Sequence, residues 1–207
     1  MPDRVYAGRS AADRRAERRR RLLRAGLALF GTQGYAATSI EKLCAAAGVS
    51  TRNFYEEFTG REELLLALHD GAQQRAMSAV STALARAGEE PLARRIELAV
   101  SAYLTATATD PRWARLSAVE VVGVSATVER HRLAWRSRWA EFLAAEARRE
   151  AACGRTRDRD FDLTAVALTG AVDELLRHWA AGERQVELDD VVAELVRIAT
   201  AALADSA

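Results

Sequence analysis

At 207 residues and 49% hydrophobic side chains, the chain has enough apolar material for a sizeable core in one or two domains. Three prolines, abundant Ala, Leu, Arg and Glu, and the lack of an alternating β-branched run make all-α the expected fold class. The net charge of +1 hides an asymmetry: residues 1–60 hold eleven basic against six acidic side chains, and the remainder 19 against 23, which suits a polyanion-binding end on an acidic body and equally a solvated arginine face.

Cys44 and Cys153 stand far apart, with no CxxC pair and no histidine at ligand spacing. That pattern argues against a disulfide framework and a zinc site, and points to a reduced, cytoplasmic setting with no metal or cofactor. No apolar stretch of signal-peptide length stands near Met1, and no run of about 18 apolar residues occurs. Neither export nor a membrane span is expected.

Residues 1–12 lack periodicity and read as an arm, either frayed or reaching a groove. A first helix is expected from about Arg14 to Gly31, with Leu22, Leu23, Leu27, Leu29 and Phe30 on one face and Arg20, Arg21 and Arg24 opposite. Gly31 and Gly34 mark its stop and a turn. Thr38 or Ser39 suits the N-cap of a short second helix, Ile40 to Ala47, which buries Ile40, Leu43, Cys44 and Ala47. Gly48 supplies a tight turn, and Ser50 caps a third helix from about Thr51 to Phe58 that buries Phe54 and Phe58 and exposes Thr51, Arg52, Tyr55 and Glu56. A long fourth helix follows from Arg61 towards Ala87, with Glu62 and Glu63 at its positive end. Beyond Gly88 and Pro91, helices are expected at about Leu92 to Thr107, Arg112 to Val122, Ala126 to Ala152, Asp162 to Ala181 and Leu188 to Ala204.

The stretch from Arg21 to Leu68 resembles the N-terminal DNA-binding domain of the TetR family. The match lies in the first helix ending at Phe30, Gly34-Tyr35, Thr38-Ser39-Ile40, Ala45 to Ser50, Phe54-Tyr55 with Phe58, and Glu62-Glu63-Leu64. The resemblance implies two domains: residues 1–60, an arm and helix-turn-helix, and residues 61–207, a ligand-sensing and dimerisation body. It implies a homodimer on double-stranded operator DNA, with recognition helices about 34 Å apart on a near-palindromic site. Carried over residue by residue, the DNA-contacting candidates are Thr38, Ser39, Ser50, Thr51, Arg52, Tyr55 and Arg61. Ser50 and Thr51 would position phosphates, Arg52 would read a guanine, and Tyr55 and Arg61 would hold backbone. Arg14, Arg15 and their neighbours are further candidates for phosphate or the minor groove. Glu56-Glu57 departs from the family pattern, because carboxylates beside phosphate are unfavourable unless they face a cytosine amino group or Arg52.

In the C-terminal body, Leu163, Val166, Gly170, Ala171 and Leu175, and Leu188, Val191, Val192, Leu195, Ala199 and Ala202, form apolar stripes on the last two helices. The resemblance assigns these helices to a four-helix dimer bundle, while periodicity alone also allows intramolecular core. A pocket for an unidentified small-molecule effector would draw on Tyr103, Trp113, Glu120, His131, Trp135, Trp139, Asp173 and His178, which offer aromatic walls and polar handles. The family's default is repression, relieved when an effector-favoured state tilts the long fourth helix. No nucleotide loop, HExxH or GxSxG occurs and His69, His131 and His178 are scattered, so no catalytic residue is expected. The competing reading is a helical interaction or ligand-binding protein without DNA binding, of which Glu56-Glu57 would be the trace.

Overall fold

The computed structural model describes residues 10–182 and 186–203, all of whose regular elements are helical. They are α1 (Ala11–Gln33), α2 (Ile40–Ala47), α3 (Thr51–Tyr55), α4 (Arg61–Ala87), α5 (Leu92–Ala108), α6 (Pro111–Arg115), a π-helical turn (Leu116–Glu120), α7 (Ala126–Ala152), α8 (Asp162–Ala181) and α9 (Leu188–Leu203). Residues 1–9 of the expected arm, and Ala204, lie outside the described residues. None of the described helices is long and apolar enough to cross a membrane.

Two compact units divide the chain at Leu68 and His69. The first extends eight residues beyond the expected boundary at 60, because the opening of α4 belongs to the first core: Leu64, Leu65 and Leu68 are buried. Gly26 of α1 makes room for them. A Cβ there would come within 2.9 Å of Leu68 Cδ1 and 3.1 Å of Leu64 Cδ2. Leu22, Phe30, Leu43, Phe54 and Phe58 complete this core, each removing enough apolar surface from water to contribute about 1.5–3 kcal/mol.

Local signals set the helix ends. Ser10 and Asp13 form a reciprocal capping box, each side chain accepting the other's backbone N–H at 3.0 Å, which starts α1 three residues before Arg14. Ser39, Ser50, Asp110 and Ser125 cap α2, α3, α6 and α7 through side-chain oxygens, each worth about 1 kcal/mol. The Glu63 carboxylate accepts both the N–H and the hydroxyl of Thr59 ahead of α4, at 2.6 and 2.9 Å.

The second unit is held by three apolar clusters. Leu104, Ala108, Ala114, Leu176, Val191 and Leu195 join α5, α6, α8 and α9; Ala76, Val80, Trp135 and Trp139 join α4 to α7; Ala144, Ala147, Phe161 and Ala165 join α7 to the start of α8. Val191 and Leu195 of the α9 stripe are thus intramolecular core. The opening of the α8 stripe is not: Leu163 and Val166 are 84% and 53% exposed. One buried ion cluster also belongs here, with Glu150 accepting from Arg95 Nε at 2.8 Å and Arg155 Nε at 2.5 Å. Arg95 further donates to the carbonyls of Gly88 and Leu84, closing the α4–α5 turn.

Candidate nucleic-acid interface and ligand cavity

In the first unit, α2 and α3 form a helix-turn-helix. The turn depends on Gly48, whose φ of 61° and ψ of 44° lie in the left-handed region that glycine occupies without strain. Its N–H and that of Val49 satisfy the last carbonyls of α2, at Ala45 and Cys44. A side chain here would also strike Arg21, whose guanidinium donates to the Gly48 carbonyl at 2.6 Å. Ser50 then starts α3, and the short helix turns Phe54 inward and Thr51, Arg52 and Tyr55 outward. Tyr55 is 56% exposed and the Arg52 side chain 91%, engaged only at 3.8 Å by Glu56. Thr51 is exposed at the helix start, and Ser50 offers its hydroxyl beside the same N-terminus.

Helix α3 ends at Tyr55, three residues before the expected Phe58, and the reason answers the question raised by the two glutamates. Glu57 is drawn inward: its side chain is only 1% exposed and accepts from Arg15 Nε at 3.3 Å and an Arg18 terminal nitrogen at 3.1 Å. The same Arg18 nitrogen reaches Glu56 at 3.2 Å. Arg19 donates to the Glu57 carbonyl and lies over the Phe58 ring. The Glu56-Glu57 pair is therefore a clamp between α1 and the end of α3. It also corrects the reading of α1, since Arg15, Arg18, Arg19 and Arg21 are engaged in holding the helix-turn-helix.

Three of the DNA-contact candidates have structural roles. Thr38 is fully buried, its hydroxyl donating to the Gly34 carbonyl at 2.8 Å, so its side chain cannot reach a duplex. Ser39, beside it, is half-buried and caps α2 through Lys42 N–H. Arg61 is half-buried, lies over the Tyr35 ring and donates to the carbonyls of Tyr35 and Thr38, pinning the α1–α2 loop. The outward set that the fold brings together is Ser50, Thr51, Arg52 and Tyr55.

The second unit encloses a cavity of about 360 Å³ among α4, α5, the π-helical turn, α7 and α8. Of the expected residues, Tyr103, Trp135, Trp139 and Asp173 line it. The other four are placed elsewhere. Trp113 lies beneath the Arg75 guanidinium at 4.0 Å, Glu120 pairs with Arg115 at 2.9 Å, His131 packs edge-on against His69 outside the lining, and His178 does not reach the cavity. The lining instead includes His69 and Gln73 from α4, Ser117 from the π-helical turn, Arg132 and Arg136 from α7, and Glu174 and Arg177 from α8. The π-helical turn puts Ser117 there, a widening that a 3.6-residue period does not announce.

Electrostatics in the cavity follow from burial. Burial pushes the His69 imidazole down to about 4, reinforced by His131 and opposed by Asp70. Burial likewise holds the Asp173 carboxyl above the usual range, against the pull of Arg136 and Arg132, the former at 3.2 Å. The indoles tie α7 to α4: Trp139 Nε1 donates to Gln73 Oε1 at 2.8 Å and Trp135 Nε1 to Asp70 Oδ1 at 3.0 Å. Among the described residues no cluster of three or more His, Cys, Asp or Glu could hold a metal ion.

A helix-turn-helix with an exposed α3 face, joined in one chain to a helical unit with a polar cavity, suits DNA binding by the first unit. Residues 22–68 match the family described as bacterial regulatory proteins, tetR family, and this match over the helix-turn-helix supports a DNA-binding transcriptional regulator. The fold extends the likeness over most of the chain. It is similar to a putative TetR-family transcriptional regulator from Syntrophomonas wolfei, at 21% identity over 90% of this chain and 95% of that one, with a TM-score of 0.77. It is also similar to the transcriptional regulator FadR from Bacillus subtilis in complex with stearoyl-CoA, at 16% identity over 89% and 97%, with a TM-score of 0.76. The fatty acid degradation regulator FadR from Bacillus halodurans matches at 16% identity over 89% and 94%, with a TM-score of 0.73. No curated protein sequence matches the chain.

Proposed function

We propose that the protein is a cytoplasmic, homodimeric repressor that binds a near-palindromic operator through α3 and leaves it when a small molecule enters the second-unit cavity. The observation that carries the DNA-binding half is the outward face of α3. Thr51, Arg52 and Tyr55 project from a helix capped by Ser50 and clamped by the α1 arginines, so two donors, a guanidinium and a phenol are presented on a rigid head. Ser50, Thr51 and Tyr55 hold phosphates, and Arg52 reads a base edge. Arg61 acts indirectly, by fixing the loop before α2.

The sensing half rests on the cavity. Its volume falls in the range of about 300–1,000 Å³ usual for ligand sites, and its polar groups converge with two indoles. Two apolar hollows, of about 70 and 80 Å³, fall well below that range, and a third of about 870 Å³ along α4 and α5 is an open surface groove and not an enclosure. A long acyl chain such as that of stearoyl-CoA therefore finds no comparable enclosure, and a compact, polar-headed effector fits better. Helix α4 supplies Leu64 and Leu68 to the first core and His69 and Gln73 to the cavity, which gives an effector a continuous element through which to act. Leu163 and Val166 supply an apolar face for the partner subunit.

The test is to enrich genomic fragments on the purified protein and then measure the recovered site by fluorescence anisotropy. Tyr55→Ala is expected to weaken all sequences about equally, and Arg52→Ala to relax preference at one base pair by about 1–3 kcal/mol. Unchanged binding in both variants overturns the assignment of α3.

A further inference from the structure

The residues that line the cavity include donors that the protein itself does not satisfy, and their identity follows from a chain of hydrogen bonds. An indole N–H only donates, so Gln73 Oε1 must be the acceptor facing Trp139. The Gln73 amide nitrogen then faces His69 Nε2 at 3.3 Å. Because an amide nitrogen only donates, His69 Nε2 carries the lone pair and Nδ1 the proton. His69 is 2% exposed, and its Nδ1 is buried without a partner. Ser117 Oγ, on the π-helical turn, is buried and unpartnered as well. Arg136 approaches Asp173 with Nε at 3.2 Å, and its side chain is 35% exposed, so its guanidinium stays open to a further acceptor. Unsatisfied buried donors are rare in folded proteins and mark places where a further acceptor belongs.

The guanidiniums of the lining are not equivalent. Arg132 is held by Glu129 and Arg177 by Glu174, each through two hydrogen bonds, whereas Arg136 approaches Asp173 at 3.2 Å and keeps donors for a further acceptor. The walls beside these groups are the rings of Trp135, Trp139 and Tyr103, with Trp139 and Tyr103 edge to face at 5.4 Å. We propose that the cavity takes a small aromatic carboxylate, its ring against the indoles and its acid group on the unmatched donors of Arg136, His69 and Ser117. An aromatic amine is the poorer fit, because Asp173 and Glu174 are already engaged by Arg136 and Arg177 and the amine would meet the stranded His69 N–H without accepting from it. This assignment rests on the effector-sensing reading and gives it a ligand class.

Calorimetric titration of the full chain with naphthoate, naphthamide and naphthylmethylamine separates the possibilities. Naphthoate is expected to bind about tenfold or more tighter than the other two, since a charge-assisted bidentate contact is lost in each. Arg136→Gln removes that preference. Gly170→Phe fills the cavity from α8, where a Cβ meets only Arg136 at 3.6 Å, and abolishes binding with helix content retained by circular dichroism. Should Arg136→Gln fail to fold, Gly170→Phe still locates the site. Amide or amine binding as tight as naphthoate, and lost in Gly170→Phe, overturns the carboxylate class while leaving the effector cavity standing. Naphthoate binding that survives both variants overturns the location. No binding of any probe overturns the class and the sensing reading together.

Discussion

The buried imidazole of His69 makes the stability of the second unit depend on pH in a calculable way. Its folded pKa of about 4 lies below the ordinary 6.5 because burial, then the neighbouring His131, disfavour the cation; Asp70 opposes and Arg132 adds to the effect. Gln73 also faces the ring, donating to it. An imidazole with a depressed folded pKa takes up its proton in the unfolded chain first. Stability is therefore intact above pH 6.5 and falls as pH drops through the window to 4. The full loss is about 3 kcal/mol, and about 2 kcal/mol of it is reached by pH 5. All four tryptophans, Trp113, Trp135, Trp139 and Trp179, lie beyond His69, so tryptophan fluorescence during urea unfolding reports on this unit alone. Between pH 7.5 and 5.0 the wild type should lose about 2 kcal/mol more than His69→Gln, with His131 present in both. Parallel profiles for the two proteins would show that His69 is solvated and ionises normally, which would also remove the stranded Nδ1–H from the cavity.

Two further outcomes test the first unit and the assembly. Glu57→Gln keeps the shape of the clamp but removes its charge. With Arg15 largely exposed and Arg18 only partly so, the loss should be about 1–2 kcal/mol, read as a lower melting temperature of the first unit and weaker operator binding; unchanged stability would return Glu57 to the surface. Leu163→Glu with Val166→Glu places two carboxylates on the exposed opening of α8, and sedimentation should shift from dimer to monomer. A dimer that persists in this variant would move the interface to another face.

Much of the fold was legible because helix ends carry local chemistry. Ser125 and Gly154 bracket α7, and Gly182, at φ 67°, closes α8, so both helices run where periodicity and breakers put them. The recognition helix was legible in place but not in length. Its apolar spacing continues to Phe58, whereas its end is set by arginines 38 and 39 residues away in sequence, and such ion pairing has no local signature. Thr38 and Ser39 were interchangeable as caps on paper. The backbone decides between them by turning Thr38 onto the Gly34 carbonyl.

The cavity was the least legible part, for a related reason. Aromatic residues announce themselves by composition, so Tyr103, Trp135 and Trp139 could be named, but Arg132 and Arg136 look like the solvated face of α7 until α8 covers them. His69 looks like a scattered histidine until Gln73 and Trp139 set its tautomer. The signal that could have found them is the spacing His69-Gln73 on α4 and Arg132-Arg136 on α7, polar pairs at i, i+4 on helices whose remaining stripe is apolar.

The junction between Leu68 and His69 bounds what an effector can achieve. Consecutive residues of one helix are committed to two different cores, one packing against Gly26 and the other bonded to Gln73 at the cavity wall. A ligand that engages His69 shifts the regulator only by its differential affinity for the DNA-competent and incompetent states. Couplings between sites are usually about 1–3 kcal/mol, or roughly 5- to 150-fold. A complete switch from 1:99 to 99:1 needs about 5.5 kcal/mol. One cavity of this size therefore produces partial release, and complete release requires both subunits of a dimer to be occupied, their couplings adding on a single operator. Operator affinity should then fall with up to the square of effector concentration between the dissociation constants of the free and the operator-bound protein, before levelling off at saturation, a dependence that a monomeric regulator with one cavity cannot show.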